Sequence, residues 1–267
     1  MNRPLLTQAS RPLTFEIDAI NERGEIVPTA IAGENPLTLY VDKQEIVTLM
    51  TLGAAPEALA LGYLRNQRLI SRLADIAAVQ VDWEAEAVAV TTTHGRGIEA
   101  TRIEKRTVTT GCGQGTVFGE LMAEIDDIRL PVDAQLSEET LYGLLDSVRT
   151  HESIYKQAGA VHGCALAHGR DILMFVEDVG RHNAVDAIAG KMWLDDLQGG
   201  DKIFYTTGRL TSEMVIKTAQ MGIPFLVSRS GLTRMGWEIA RQLGMTMIGR
   251  AQGKHYLLFT GEERFTR

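Results

Sequence analysis

Apolar and polar residues alternate near the start of the chain, in a pattern that predicts strands separated by a turn. Residues 14–18 alternate, residues 21–24 have the composition of a turn, and residues 37–41 are rich in strand formers. A helix is predicted to begin at Pro56, because proline fits the first helical position and an apolar stripe of leucine and alanine follows it. Two further strands are predicted within residues 76–93, where valine recurs. These elements predict a small, sheet-rich unit at the start of the fold.

The second half of the chain alternates helical and strand patterns more regularly. Helices are predicted at residues 137–151, 183–193, 211–221 and 233–243, and strands at residues 159–167, 172–177, 202–206 and 225–227. Strands that alternate with helices predict a mostly parallel sheet, because parallel neighbours need crossover connections. A helix is also predicted at residues 121–128, and residues 130–133 have the composition of a linker. We therefore expect two domains, residues 1–130 and residues 131–267.

Composition places the chain among globular proteins of a reducing compartment. Its 267 residues are 45% apolar, which suffices for a buried core. There are two cysteines, and residues 1–10 lack the basic and apolar runs of a secretory signal, so a cytoplasmic protein is predicted. No apolar stretch approaches the ~20 residues that span a bilayer. A net charge of −7 disfavours non-specific binding to nucleic acid, so neither membrane nor nucleic acid is an expected partner.

Cys112 lies in the glycine-rich segment 109–116, which is the sharpest chemical feature of the sequence. Flanking glycines leave a thiol accessible and its loop adaptable, as a residue that carries sulfur from a donor to a recipient requires. The thiolate is the reactive form, and Arg102, Lys105 and Arg106 lie upstream as candidate groups for lowering the pKa of the thiol. The alternative is a glycine-rich turn in which Cys112 fills a small buried space.

Cys164 and His162 lie in an apolar segment that is predicted to be a strand. A small core residue is the better interpretation of Cys164. His162 is predicted either to contact a ligand or to be hydrogen-bonded within a packed strand. A zinc site is not predicted, because no second Cys-x-x-Cys pair completes a tetrahedral ligand set. A metal-dependent hydrolase that modifies nucleotides is therefore disfavoured.

Residues 177–186 combine several charged and polar side chains at the end of a strand that leads into a helix. In open α/β sheets, ligands bind at the carboxyl ends of strands, and a helix N-terminus favours an anion. Arg181 and His182 would add charge-assisted hydrogen bonds to a phosphate or a pyrophosphate. The alternative is a capped loop with a solvated run of charges.

Two further strand ends repeat this arrangement, and another candidate segment follows near the C-terminus. Gly208 and Arg209 precede one predicted helix, and Ser228 and Arg229 precede another. Together the three strand ends predict one shared crevice, although serine, threonine and glycine are also ordinary cap and turn residues. Residues 248–254 are predicted either to hold a nucleotide through backbone N–H groups and an arginine or to form a plain hairpin turn.

At these residues the sequence resembles the FdhD/NarQ family, the formate dehydrogenase accessory sulfurtransferases. Matching stretches cover nearly the whole chain in order: residues 36–41, 47–50, 60–64, the Cys112 segment, and residues 159–162, 177–186, 208–209, 213–215, 222–224 and 228–230. The segment Glu-Asp-Val-Gly-Arg-His-Asn-Ala is the most specific of them. The resemblance implies an α/β protein with a cytidine-deaminase-like, three-layer C-terminal domain and a smaller, β-rich α+β N-terminal domain, assembled as a homodimer.

The resemblance also implies a function. A member of this family accepts sulfur from a cysteine desulfurase as a persulfide and delivers it to the bis-molybdopterin guanine dinucleotide form of the molybdenum cofactor. Formate dehydrogenase, or a related molybdoenzyme, requires that sulfuration. The cofactor is carried as cargo, and a guanine nucleotide is expected to substitute for it in binding.

Part of the site follows from the same resemblance. The persulfide cysteine falls on Cys112, and the cofactor-contacting segment corresponds to Ile248, Gly249, Arg250, Ala251, Gln252 and Gly253. The other residues expected at the cofactor site follow from their positions at strand ends and not from the resemblance: His162, Arg181, His182, Gly208, Arg209, Ser228 and Arg229.

The sequence departs from the family pattern at two places. The family shows Cys-Gly-x-Cys-Gly in its loop, whereas Gly115 stands at the second cysteine here, so no disulfide can form within the loop. Residues 66–68 replace the usual Ser-Glu-Gly stretch. The missing thiol keeps an alternative open, namely a non-catalytic chaperone or insertion factor that binds the cofactor without transferring sulfur.

Overall fold

The computed structural model describes residues 3–9, 11–95, 97–98 and 125–267. Its N-terminal strands are β1 (Leu5–Leu6), β2 (Thr14–Ile20), β3 (Ile26–Ala32), β4 (Asn35–Val41), β5 (Gln44–Thr51), β6 (Ile76–Asp82) and β7 (Ala87–Thr92). Five of them form a sheet in the order β1-β6-β7-β4-β5, and β2 pairs with β3 in a separate hairpin. Side chains along β4 alternate between buried and half-buried, as expected where one face of a strand covers a core.

The C-terminal part is built around a six-stranded sheet. Its strands are β9 (His162–His168), β10 (Asp171–Asp178), β11 (Ile203–Thr206), β12 (Phe225–Ser228), β13 (Thr246–Gln252) and β14 (His255–Thr260), in the order β10-β9-β11-β12-β13-β14. The prediction of a mostly parallel sheet is wrong, because β11–β12 and β12–β13 are parallel pairs whereas the other three pairs are antiparallel. Tight turns at residues 169–170 and 253–254 fold β10 back on β9 and β14 back on β13, and such turns join antiparallel strands without a crossover helix. Elsewhere, β8 (Leu136–Ser137) pairs with β15 (Phe265–Thr266).

The helices of the described residues are α1 (Pro56–Asn66), α2 (Glu138–Thr150), α3 (Ile154–Ala158), α4 (Arg181–Leu194), α5 (Ser212–Gln220) and α6 (Arg234–Gln242). The predicted helices at α2, α4, α5 and α6 are confirmed to within two residues at each end. Side-chain caps explain three of the starts, since Ser137 accepts the N–H of Thr140, Ser153 accepts that of Lys156, and Thr233 accepts that of Gly236. None of these helices is long and apolar enough to cross a membrane.

Some elements were not predicted or lie partly outside the described residues. The elements without a counterpart among the predicted ones include strands β3, β5 and β14 and the five-residue helix α3. Of the helix predicted at residues 121–128, residues 121–124 lie outside the described part, and Ile125–Asp127 forms a 3-10 helix.

Helix α1 crosses α4 at two glycines, and this contact joins the two halves of the chain. A methyl group on Gly62 would lie 1.6 Å from the carbonyl oxygen of Asp186, and one on Gly190 would lie 1.9 Å from that of Ala58. The two helix backbones are therefore in direct contact. One apolar cluster continues from β4 and β6 through both helices to β9 and β12. The division into residues 1–130 and 131–267 stays a prediction.

Candidate functional site

The predicted strand ends meet at one edge of the six-stranded sheet. Strands β10, β11, β12 and β13 run in the same direction and end there, and β9, which runs the opposite way, begins there. In the sheet register, Asp178 lies opposite His162, and Thr206 lies opposite both Cys164 and Ser228. The predicted convergence of these segments is confirmed by the sheet topology.

His162 contacts the loop that follows β11. Oγ1 of Thr207 lies 3.4 Å from Nδ1 of His162 and accepts a hydrogen bond of 3.0 Å from the N–H of Gly163. The N–H of Thr207 donates in turn to the carbonyl of Gly163 at 2.9 Å. A hydroxyl can donate to a ring nitrogen or accept from one, so this contact suits both the neutral and the protonated imidazole.

Gly208 allows a buried arginine to approach the same loop. A methyl group on Gly208 would lie 2.7 Å from Cδ of Arg181, so a larger residue would displace that side chain. The N–H of Gly208 donates to Oγ1 of Thr206 at 3.1 Å, and Oγ of Ser228 donates to the Gly208 carbonyl at 2.7 Å. Gly208 and Ser228 thus shape the site through close packing and loop geometry.

Three arginines converge near this loop, and we call Arg181, Arg209 and Arg229 the arginine cluster. Burial lowers the pKa of His162, and the charges of the three guanidinium groups lower it further. Arg181 is 6% exposed, and its Nε has no hydrogen-bond partner within the described residues. None of the ion pairs in that part of the chain includes a member of the cluster. Arg209 and Arg229 are exposed, whereas Arg181 is a buried cation without a counter-charge in these pairs, and such a cation favours the binding of an anion.

A cavity of about 470 Å³ opens beside the arginine cluster. Thr207 and Arg229 lie in its wall, together with residues of α2, α3 and the turn between β13 and β14. The guanidinium carbon of Arg229 lies 5.0 Å from the ring centroid of Tyr155, within the range of a cation–π interaction. Glu177 holds α3 at this wall, since its carboxylate accepts the N–H groups of Ile154 at 2.5 Å and Tyr155 at 3.1 Å. The cavity therefore offers an aromatic and cationic surface to a planar ligand.

The carboxylate of Asp178 binds groups of the protein itself. It accepts hydrogen bonds from the Thr51 hydroxyl at 2.5 Å and the Leu52 N–H at 3.1 Å, which ties β10 to the end of β5. It also accepts the N–H of Gly180 and the side-chain amide of Asn183 at the start of α4. Burial raises the pKa of Asp178, whereas these hydrogen bonds favour the carboxylate and oppose the shift. One of the charges in segment 177–186 thus serves to join elements of the protein and is not available to a ligand.

A buried ionic network centres on Lys217. Its ammonium lies 2.8 Å from Asp186 and 3.3 Å from Glu213, and Glu213 lies 3.1 Å from Nε2 of His182. Asn66 of α1 donates to the other oxygen of Asp186 at 2.7 Å. His182, a predicted cofactor residue, is 4% exposed and is not among the residues that line the cavity. The structure therefore places it in contacts between helices.

Residues 248–252 of the predicted nucleotide-binding segment lie within β13, and Gly253 begins the turn to β14. The side chain of Ile248 is fully buried in an apolar cluster with residues of β9, β11 and β12. Arg250 has a positive φ of 53° at an irregularity in the pairing with β14, and its N–H donates to the carbonyl of Ser230 at 2.9 Å. Three members of the segment line the cavity: Ala251, Gln252 and Gly253.

Of the two cysteines, Cys164 lies within the described residues. Cys164 is fully buried on β9, and its thiol donates to Oγ1 of Thr206 at 3.3 Å. Burial raises the pKa of Cys164 to about 12. The prediction that Cys164 is a small core residue is confirmed. Cys112 and its glycine-rich segment lie outside the described residues.

Thr207 and Tyr155 belong to the site although the sequence patterns did not single them out. Thr207 directly precedes the predicted Gly208, so its position at a strand end was an available signal. Tyr155 has no such signal, because its proximity to Arg229 depends on how α3 packs against the sheet.

The fold and the site together define a class of protein: an α/β protein with a five-stranded and a six-stranded sheet, and with a cationic cleft at the strand ends of the six-stranded sheet. The chain belongs to the FdhD/NarQ family, whose sequence model matches residues 32–266.

Relatives match the chain over almost its full length. The sulfur carrier protein FdhD of Listeria monocytogenes is 28% identical over 242 residues, which are 90% of this chain and 93% of that protein. The sulfur carrier protein FdhD of Bacillus subtilis is 28% identical over 246 residues, which are 91% of this chain and 94% of that protein. A crystal structure assigned as a formate dehydrogenase accessory protein, from Desulfotalea psychrophila, has a TM-score of 0.76 at 25% identity and covers 95% of this chain and 100% of its own.

Proposed function

We propose that this protein is a sulfur carrier that serves a formate dehydrogenase or a related molybdoenzyme. Cys112 accepts sulfur from a cysteine desulfurase as a persulfide. The protein then passes that sulfur to its cargo, the bis-molybdopterin guanine dinucleotide form of the molybdenum cofactor. Membership of the FdhD/NarQ family supports this assignment, as do the names of relatives that are sulfur carriers or an accessory protein of formate dehydrogenase.

The observation that carries the proposal is the burial of Cys164. The chain has two cysteines, and a sulfur carrier needs one whose thiolate can reach a donor. Cys164 is 0% exposed, and burial raises its pKa to about 12, so at neutral pH its thiolate is both scarce and inaccessible. Elimination therefore favours Cys112 as the carrier.

The transfer to Cys112 is a thiol–persulfide exchange. The Cys112 thiolate attacks the terminal sulfur of the desulfurase persulfide, and a new S–S bond forms at Cys112. The S–S bond of the donor breaks, and the desulfurase cysteine leaves as a thiolate. No second thiol of this chain is needed for that step, so Gly115 is compatible with it.

The arginine cluster supports the assignment of the cofactor as cargo. A guanine dinucleotide contains a pyrophosphate, and Arg181, Arg209 and Arg229 offer cations that are in none of the ion pairs of the described residues. The adjoining cavity presents Tyr155 as an aromatic surface for the guanine ring, with Gln252 in the same wall. The cargo is thus proposed to lie with its pyrophosphate on the cluster and its base in the cavity.

The finer architecture is also proposed. We infer a cytidine-deaminase-like layout for residues 131–267, a smaller domain for residues 1–130, and a homodimer. The mixed six-stranded sheet with packed helices is compatible with the first of these. Sedimentation of the purified protein tests the dimer, since a monomeric mass at micromolar concentration contradicts it.

A second candidate function is a non-catalytic chaperone that binds the cofactor and inserts it without transferring sulfur. Gly115, which stands at the second loop cysteine of the family, favours this candidate. The arginine cluster and the cavity suit it equally well, because neither involves a thiol. The two functions differ in whether Cys112 is required.

Complementation in cells that lack their own carrier tests the proposed function. Cys112→Ala is expected to reduce formate dehydrogenase activity to the level of the empty vector, whereas Cys164→Ala, the matched control, is expected to restore activity. Both variants must accumulate as folded protein. Full activity with Cys112→Ala would favour the chaperone and contradict sulfur transfer.

A further inference from the structure

We propose that His162 in its protonated form helps to hold an oxyanion in the arginine cluster, so that anion binding takes up a proton. The inference rests on the proposed function, because it concerns the anion site assigned to the cargo. It deepens that function by making the affinity of the site depend on pH through one identified ring.

The cationic groups that face His162 come from three different elements. Arg181 begins α4, Arg209 lies in the loop after β11, and Arg229 lies in the loop after β12. Burial lowers the pKa of His162 most, and the charges of all three guanidinium groups lower it further. The ring is therefore neutral at neutral pH while the site is empty.

The acidic groups on the neighbouring strand do not compensate these charges. Asp178, the register partner of His162 on β10, directs its carboxylate to Thr51, the Leu52 N–H and the start of α4. Glu177 directs its carboxylate to the N–H groups at the start of α3. None of the ion pairs formed within the described part of the chain includes His162.

A bound anion would raise the pKa of His162. A dianion on the arginine cluster offsets the charges that disfavour protonation, so the pKa of His162 rises when the site is filled. Thr207 accommodates the change, because its hydroxyl can donate to the bare Nδ1 of the neutral ring and accept from the Nδ1–H of the protonated ring. The protonated ring then adds a cationic donor at the cluster, where it can approach the oxyanion.

The sign of the pH dependence follows from linkage. A group whose pKa is higher in the complex than in the free protein binds a proton as the complex forms. Affinity for the anion therefore increases as the pH falls, by up to about tenfold per pH unit between the two pKa values of His162. Above the higher of these values, the affinity no longer depends on this group.

Sulfate is a suitable probe, because it stays a dianion across neutral pH and contributes no titration of its own. Calorimetry in two buffers with different ionisation enthalpies is expected to show that sulfate binding takes up protons at pH values between the pKa of His162 in the free protein and its higher pKa in the complex. NMR of the ring C–H groups is expected to show that saturating sulfate raises the pKa of His162. His162→Gln keeps a neutral donor and is expected to bind sulfate with no proton uptake.

The control is His168→Gln, which removes an exposed histidine on the far end of β9 and should leave the proton uptake unchanged. The inference is overturned if sulfate binds without proton uptake, or if the uptake persists in His162→Gln. If sulfate does not bind to the wild-type protein at any pH, the anion site itself is refuted, and the cargo assignment loses its support. If sulfate binds without proton uptake, the cargo assignment stays intact and only the role of His162 fails. The failure of this inference can therefore be distinguished from the failure of the proposed function.

Discussion

Replacing Lys217 by methionine should destabilise the protein strongly, because it removes the only cation that contacts Asp186 among the described residues. The side chains of Lys217 and Asp186 are 1% and 0% exposed, and the ammonium lies 2.8 Å from the carboxylate. Methionine has a similar length, so the packing changes little while the charge disappears. An uncompensated buried charge of this kind costs about 3–5 kcal/mol of the free energy of unfolding.

The pH dependence of the loss gives a second test. Burial raises the pKa of Asp186, and Lys217 opposes that rise, so the variant should have a carboxyl whose pKa is further above its unfolded value. A carboxyl with a raised pKa in the folded state contributes stability at low pH and loses that contribution as the pH rises. The penalty of Lys217→Met should therefore grow as the pH increases from about 4 toward neutrality.

Urea denaturation of Lys217→Met and of the double variant Lys217→Met, Asp186→Asn measures the effect. The double variant should recover most of the loss, because a neutral amide at position 186 can still accept the 2.7 Å hydrogen bond from Asn66. A loss below about 1 kcal/mol for the single variant would mean that the pair behaves like an exposed one. That result, or a double variant no more stable than the single one, would refute the reasoning.

Three further results are expected. Gly190→Ala should lower the free energy of unfolding by about 3 kcal/mol or more in urea denaturation, because its methyl group would lie 1.9 Å from a carbonyl oxygen of α1. Gly231→Ala, whose methyl group would meet nothing within 4 Å, should leave the free energy of unfolding nearly unchanged. Equal losses for the two variants would contradict this. In folded Cys112→Ala protein, Cys164 should resist alkylation at neutral pH and react only after denaturation, and rapid labelling of the folded variant would show an accessible thiol. Gly208→Ala should weaken sulfate binding by displacing Arg181, and unchanged affinity would show that this guanidinium does not contact the anion.

Periodicity was sufficient to predict most elements but not how they pair. Leu37, Leu39 and Val41 alternate along β4 and are all fully buried, as a half-buried strand requires. The direction of neighbouring strands depends on turns that are only two residues long. Gly169 and Gly253, both with positive φ, lie in such turns, and each turn joins two antiparallel strands without a crossover helix.

The location of the site was easier to predict than the roles of its residues. A sequence shows that charges lie at the ends of strands, but it does not show which charges face one another. Arg181 and His182 are adjacent in sequence, yet one lies against Gly208 and the other pairs with Glu213 of α5. Contacts of this kind depend on how separate helices pack, and periodicity does not specify that packing.

The central claim concerns sulfur on Cys112, and mass spectrometry tests it most directly. The purified protein is incubated with a cysteine desulfurase and cysteine, digested without reductant, and compared with Cys112→Ala and Cys164→Ala. The account predicts the added mass of one sulfur atom on the peptide that contains Cys112, in the wild type and in Cys164→Ala alike. Unmodified Cys112 under conditions in which the desulfurase carries its own persulfide, or added sulfur on Cys164, would contradict it.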